Sequence, residues 1–129
     1  MLYTKCILHN PAPEDGLRIS VMSRHTENDG KTPDKRITLV DEHQPALGPS
    51  SKLIGNYYKR GLSWEDFSKY YLSEIRVESK RPLVISLAEK ATQEDVTILC
   101  IEETAHMCHR RLLADECQIY QPSLQVIHH

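Results

Sequence analysis

The sequence predicts an α/β fold, a single three-layer domain over residues 1–129 with a small, mostly parallel sheet flanked by helices. Two observations carry this. The run Asp95–Ile101 (DVTILCI) is apolar enough to suit a strand covered on both faces. A polar break, an amphipathic helix and a short β-compatible tail follow it, which makes a strand–helix–strand unit. At 129 residues the chain is long enough for one ordinary core.

Each element follows from local chemistry. Leu2–Leu8 (LYTKCIL) is β-compatible, and PAPEDG ends it with two prolines and a glycine. Leu17–Ser23 (LRISVMS) reads as a second strand, open either to a hairpin with the first or to a mixed sheet. Between His25 and Pro49 only Arg36–Val40 has strand character, and a stretch this long with so little pattern reads as a functional loop. Helices fill the middle. In PSSKLIGNYYKRG, Ser50 or Ser51 is the cap and Gly61 the stop. In SWEDFSKYYLSEIR, Ser63 and Asp66 stand at capping-box spacing, while Trp64, Phe67, Tyr71 and Ile75 form a stripe for the core. A third helix begins near Pro82 and turns Leu83, Leu87, Ala88 and Ala91 inward. The strand Asp95–Ile101 then leads through EETA into a helix over His106–Tyr120, which Pro122 helps to end, and SLQVIHH closes the chain as a strand.

Composition excludes some functions. The formal charge of −2 is not that of a dedicated nucleic-acid binder, so such a role would need a local patch. No run approaches the roughly 18 apolar residues of a membrane span, and the N-terminus is too polar for a signal peptide. Four cysteines without a secretion signal read as reduced thiols, which places the protein in the cytoplasm.

The chemistry concentrates in TILCIEETAHMCHRRLLADEC, Thr97–Cys117. Sites in open α/β sheets lie at the carboxyl ends of strands, where helix N-termini present free N–H groups. Cys100, Glu102, Glu103, Cys108, His109 and Arg110 all fall there. At about 100° per residue, Leu112, Leu113, Ile119 and Tyr120 define an apolar arc with His109 near its middle, so His109 points inward. Cys108 and Arg110 lie on the margins of that arc, Arg111 faces water, and Cys117 faces elsewhere. Cys108, placed in the first helical turn, gains a lowered pKa from the helix dipole and Arg110. Its plainer reading is a small hydrophobe at the edge of the core. Glu102 is a general acid–base or a partner for a ligand hydroxyl. There is no CxxC and no HExxH, and Cys100 and Cys108 are not expected to converge. Cys100, Cys108, His106 and His109 offer candidate zinc ligands, but no metal is assigned, and the cofactor stays unknown.

The spacing Cys100-x-Glu102, five residues, then Cys108-His109-Arg110 resembles the closing signature of the domain of unknown function 488 family. PSSKLIGNYYKRGLSWEDFSKYYLSEI is similar to the middle of that family, VMSR to its early strand ending at Arg24, and VIHH to its final strand at His128. Many members carry an Asp before that arginine, where Met22-Ser23 stand here, and Asp-Pro at Thr104-Ala105. The resemblance implies a compact α/β fold and a polar site at this strand end, without naming a reaction.

Three functions follow as expectations. The first is binding of an anionic, nucleotide-like small molecule by Arg24, Cys100, His109 and Arg110, with Glu102 selecting a hydroxyl. The alternative is an enzyme in the same pocket, with Cys108 as nucleophile or Glu102 as acid–base. The third is a nucleic-acid or interaction protein using the basic pairs Lys59-Arg60, Lys80-Arg81 and Arg110-Arg111.

Overall fold

A computed structural model describes all 129 residues. Its five strands are β1 (Leu2–Cys6), β2 (Leu17–Ser20), β3 (Glu42–His43), β4 (Val96–Cys100) and β5 (Val126–His128). They form one sheet in the order β3-β2-β4-β1-β5. Every pairing is parallel, with Cys6 opposite Cys100 and Leu17 opposite Val96. The four helices are α1 (Ser51–Arg60), α2 (Trp64–Ile75), α3 (Arg81–Gln93) and α4 (His109–Tyr120). The α/β reading holds. β1 and β2 form no hairpin, because β4 lies between them.

Handedness explains the layers. Parallel crossovers are right-handed, so connections that step one way across a sheet cover one face and those that step the other way cover its opposite. The connections β3→β4 and β4→β5 step one way and carry all four helices. Buried residues of these helices share a single 18-residue cluster with Leu2, Ile19, Val21, Val96 and Ile98, which lie on one face of the sheet. The connections β1→β2 and β2→β3 step back and contain no α-helix. Their loops bring Asp15 and Leu39 against Lys5, Arg18 and Thr97 on the other face. The second flanking layer is thus built from loops.

Capping fixes the helix starts. Ser50 Oγ accepts the Leu53 N–H at 3.2 Å, and Ser63 Oγ accepts that of Asp66 at 3.1 Å. Gly61 ends α1 in the left-handed region, at φ 73°. Phe67, Tyr71 and Ile75 are buried as their spacing predicts, and Trp64 packs on the rim of the core. In α3 Leu87, Ala88 and Ala91 are buried as expected, with Val84 in place of Leu83, which is exposed.

Two further expectations are corrected. Arg36–Val40 forms no strand; the two residues Glu42–His43 pair with β2 instead. Its polar groups are committed elsewhere: Asp34 takes both the backbone and the guanidinium of Arg36, and Arg18 Nε donates to Leu39 O. The last helix begins at His109 rather than His106, with Cys108 as an extended N-cap at φ −137°. Its buried face is Leu113, Ala114, Glu116 and Cys117, whereas Ile119 is exposed. Arg76 draws Glu116 into that face through two bonds of 2.7 and 2.9 Å, where an apolar pattern leaves no place for a carboxylate. No helix is long and apolar enough to cross a membrane.

Candidate functional site

A cleft of about 530 Å³ opens at the carboxyl end of the sheet, a size suited to a small-molecule ligand. Four segments line it: the loop after β2, α1, the start of α2, and the β4–α4 loop. One wall is aromatic. Trp64 and Phe67 stack with centroids 5.3 Å apart, and Tyr57 tilts against Phe67 at 4.9 Å. The facing residues include Cys100, Glu102, Cys108 and His109.

The polar side is built around Cys100, the last residue of β4. Its Sγ lies 3.7 Å from Nδ1 of His109, at the start of α4. His109 is held from its other end, where Nε2 is 2.7 Å from the carbonyl of Val21. A carbonyl only accepts, so Nε2 carries a hydrogen and donates to Val21 O, which leaves Nδ1 facing the Cys100 sulfur. Tyr71 meets the imidazole edge-on at 5.3 Å and is itself fixed by donating to Leu47 O at 2.7 Å. The inward orientation predicted for His109 is confirmed.

The two buried thiols are unequal. Donation from Cys108 lowers the Cys100 pKa; burial opposes this, while the Ile101 and Glu102 N–H groups and the charge of Arg110 reinforce it. The same bond to Cys100 pushes the Cys108 thiol up, and burial adds to the rise. Cys108 is also the N-cap rather than a first-turn residue. The expected low-pKa thiol at Cys108 is therefore corrected: the thiol whose pKa is lowered is that of Cys100.

Arg110 differs from its expected place as well. It is completely buried and is not among the residues lining the cleft. Its Nη1 donates to Glu102 O at 2.8 Å and to Cys108 Sγ at 3.5 Å, which pins the 101–108 loop beneath the site. Nε and Nη2 have no partner. Burial also removes Arg110 from any basic patch with Arg111.

Arg24 and Glu102 both line the cleft. Glu102 accepts a hydrogen bond from Tyr58. Gly30, at φ 72°, lets its loop turn close to the Arg24 guanidinium, and a Cβ there would lie 3.2 Å from it. Sequence reasoning passed over Tyr57 and Tyr58 as site residues and placed Lys59 only in a basic surface pair, whereas all three line the cleft. The signal for the tyrosines was their adjacent placement on a short capped helix. Cys100 and Cys108, which were not expected to meet, do so: their Sγ atoms and a His109 ring nitrogen all lie within 4.8 Å of one another. Cys117 faces α3, with burial raising its pKa to about 12.

Among known proteins, a family model described as "DUF488-N3a: Active DUF488-N3 subclade" matches residues 2–120. No curated relative matches the chain. No solved structure matches it. The match spans both the helical middle and the Cys100-to-Arg110 segment, and the chain belongs to the DUF488 family.

Proposed function

We propose that the cleft binds a nucleotide-like anionic small molecule. The observation that carries this is the pairing, in one cavity, of a wall of Tyr57, Trp64 and Phe67 with the cationic side chains of Arg24 and Lys59. A planar ring gains from the aromatic faces, an anionic group from the guanidinium, and a ligand hydroxyl from the Glu102 carboxylate. A reducing compartment such as the cytoplasm suits the four free thiols. Calorimetry against a panel of nucleoside mono- and diphosphates tests the reading. Arg24→Ala is expected to weaken the best ligand about tenfold or more, since a charge-assisted hydrogen bond contributes roughly 1.5–3 kcal/mol. Absence of binding by the wild type, or an unchanged Arg24→Ala variant, contradicts it.

A catalytic use of the same cleft is favoured by one specific observation, the Cys100 thiol, with its pKa lowered, 3.7 Å from Nδ1 of His109. The subclade description "active" agrees with it. In this reading Cys100 takes the nucleophilic role first given to Cys108, and Glu102 remains the acid–base. A nucleoside carrying a haloacetyl group then labels Cys100 faster than free haloacetamide does. Equal rates, or labelling elsewhere, remove the catalytic reading.

A further inference from the structure

We infer that Cys100, Cys108 and His109 form a binding site for a zinc-type divalent metal ion, with an open coordination position facing the cleft. Their ligand atoms lie within 4.8 Å of one another, and all three residues are buried yet line the cavity. The dimensions fit. Tetrahedral zinc with Zn–S near 2.3 Å and Zn–N near 2.0–2.1 Å separates sulfur from nitrogen by about 3.6 Å. Cys100 Sγ and His109 Nδ1 are 3.7 Å apart. Little rearrangement is needed to close the first coordination edge.

The surroundings are those of a metal centre. A ligating histidine donates its second ring nitrogen to a carbonyl or carboxylate, which fixes tautomer and orientation. His109 does so to Val21 O, leaving Nδ1 as the free donor atom. Arg110 donates to Cys108 Sγ at 3.5 Å, and such donation stabilises a metal-bound thiolate. Two cysteines and one histidine make a three-ligand set, and three protein ligands leave the fourth position for water or substrate. Glu102 lines the same cavity. When bound, the metal would lower the pKa of a water in its open position, and Glu102 would be the carboxylate able to take that proton.

The site does not depend on the ligand being nucleotide-like, so its test uses metal alone. The reduced, chelator-treated full chain is titrated with Co²⁺ and then with Zn²⁺. One equivalent of Co²⁺ is expected to give a thiolate-to-cobalt charge-transfer band and intense visible bands, which Zn²⁺ abolishes. Cys100→Ser, Cys108→Ser and His109→Gln should each weaken binding about tenfold or more, while Cys117→Ala leaves it intact. Protection of Cys100 and Cys108 from alkylation by one equivalent of Zn²⁺ gives a readout on the wild type that needs no variant. Absence of the charge-transfer band together with absence of protection overturns the site. So does a band whose intensity and affinity are unchanged by replacement of either cysteine, since the metal would then be held elsewhere.

Discussion

Two buried polar clusters sit on opposite sides of the same sheet, and only one is closed. On the loop-covered face, Lys5, Asp15 and Arg18 are all nearly inaccessible. Lys5 Nζ reaches both Asp15 oxygens at 3.1 and 3.2 Å and Asn10 O at 2.9 Å. Arg18 donates to Asp15 at 2.5 Å and to Leu39 O at 2.9 Å, and the Ala12 N–H completes the carboxylate. On the helix-covered face Arg110 is as deeply buried, yet two of its nitrogens lack partners and the side chain it donates to is a thiol. The first cluster satisfies itself and ties two loops without an α-helix to the strands. The second leaves capacity unused beside a cavity. Closure marks scaffold, and incompleteness at a cleft marks chemistry.

Substitutions should separate the clusters. The largest effect is expected at Asp15→Ala, which leaves two buried cations without their carboxylate. It should cost about 3–5 kcal/mol in denaturant melts and leave ligand affinity at the cleft unchanged in the folded fraction. A change in affinity without loss of stability would reverse the assignment of scaffold and site.

The same cluster sets an acid limit. Burial raises the Asp15 pKa, but bonds from the Ala12 N–H, Lys5 and Arg18 outweigh it and hold the carboxyl below its usual range. A depressed folded pKa contributes stability that is full above the unfolded value, near 3.9. That stability is lost as pH falls through the folded value. Melting temperature against pH should therefore drop below about pH 4, and more gently in Asp15→Asn than in the wild type. Parallel curves would show that Asp15 is not the group responsible.

Arg110→Met is expected to do the reverse of Asp15→Ala. Removing a buried cation with orphaned nitrogens should shift stability by less than about 1–2 kcal/mol. Cys100 loses one of the contributions that lower its pKa, so its alkylation at neutral pH should slow. A large stability loss with unchanged thiol reactivity would make Arg110 scaffold as well.

The smallest effect is expected at Gly30→Ala. The left-handed backbone and the nearby Arg24 guanidinium should cost about 1 kcal/mol, and ligand binding should weaken modestly as Arg24 is displaced. Binding equal to wild type would take Arg24 out of the site.

How much of this the sequence reveals depends on how local the cause is. The Ser50 and Ser63 caps, the Gly61 stop, the buried strand at Val96–Cys100 and the inward turn of His109 all follow from neighbouring residues. Convergence of Cys100 with Cys108 does not, because Arg110 must first anchor the Glu102 carbonyl and fold the loop back. The same contact holds the segment before Cys108 out of the helix. The Lys5–Asp15–Arg18 cluster left a trace, a charged residue inside each of two strands, but the sequence could not say that one carboxylate serves both. Crossovers without an α-helix were also hidden, since handedness acts only once strand order is known.

The central claim is that Cys100, and not Cys108, is the more acidic thiol of the site. The direct measurement is the alkylation rate of each cysteine against pH in metal-free protein, mapped by mass spectrometry. Cys100 should react with a midpoint below that of an ordinary thiol, and Cys108 should lag behind it at every pH. If Cys108 leads, or if both follow the profile of a free peptide thiol, the account of the site is wrong.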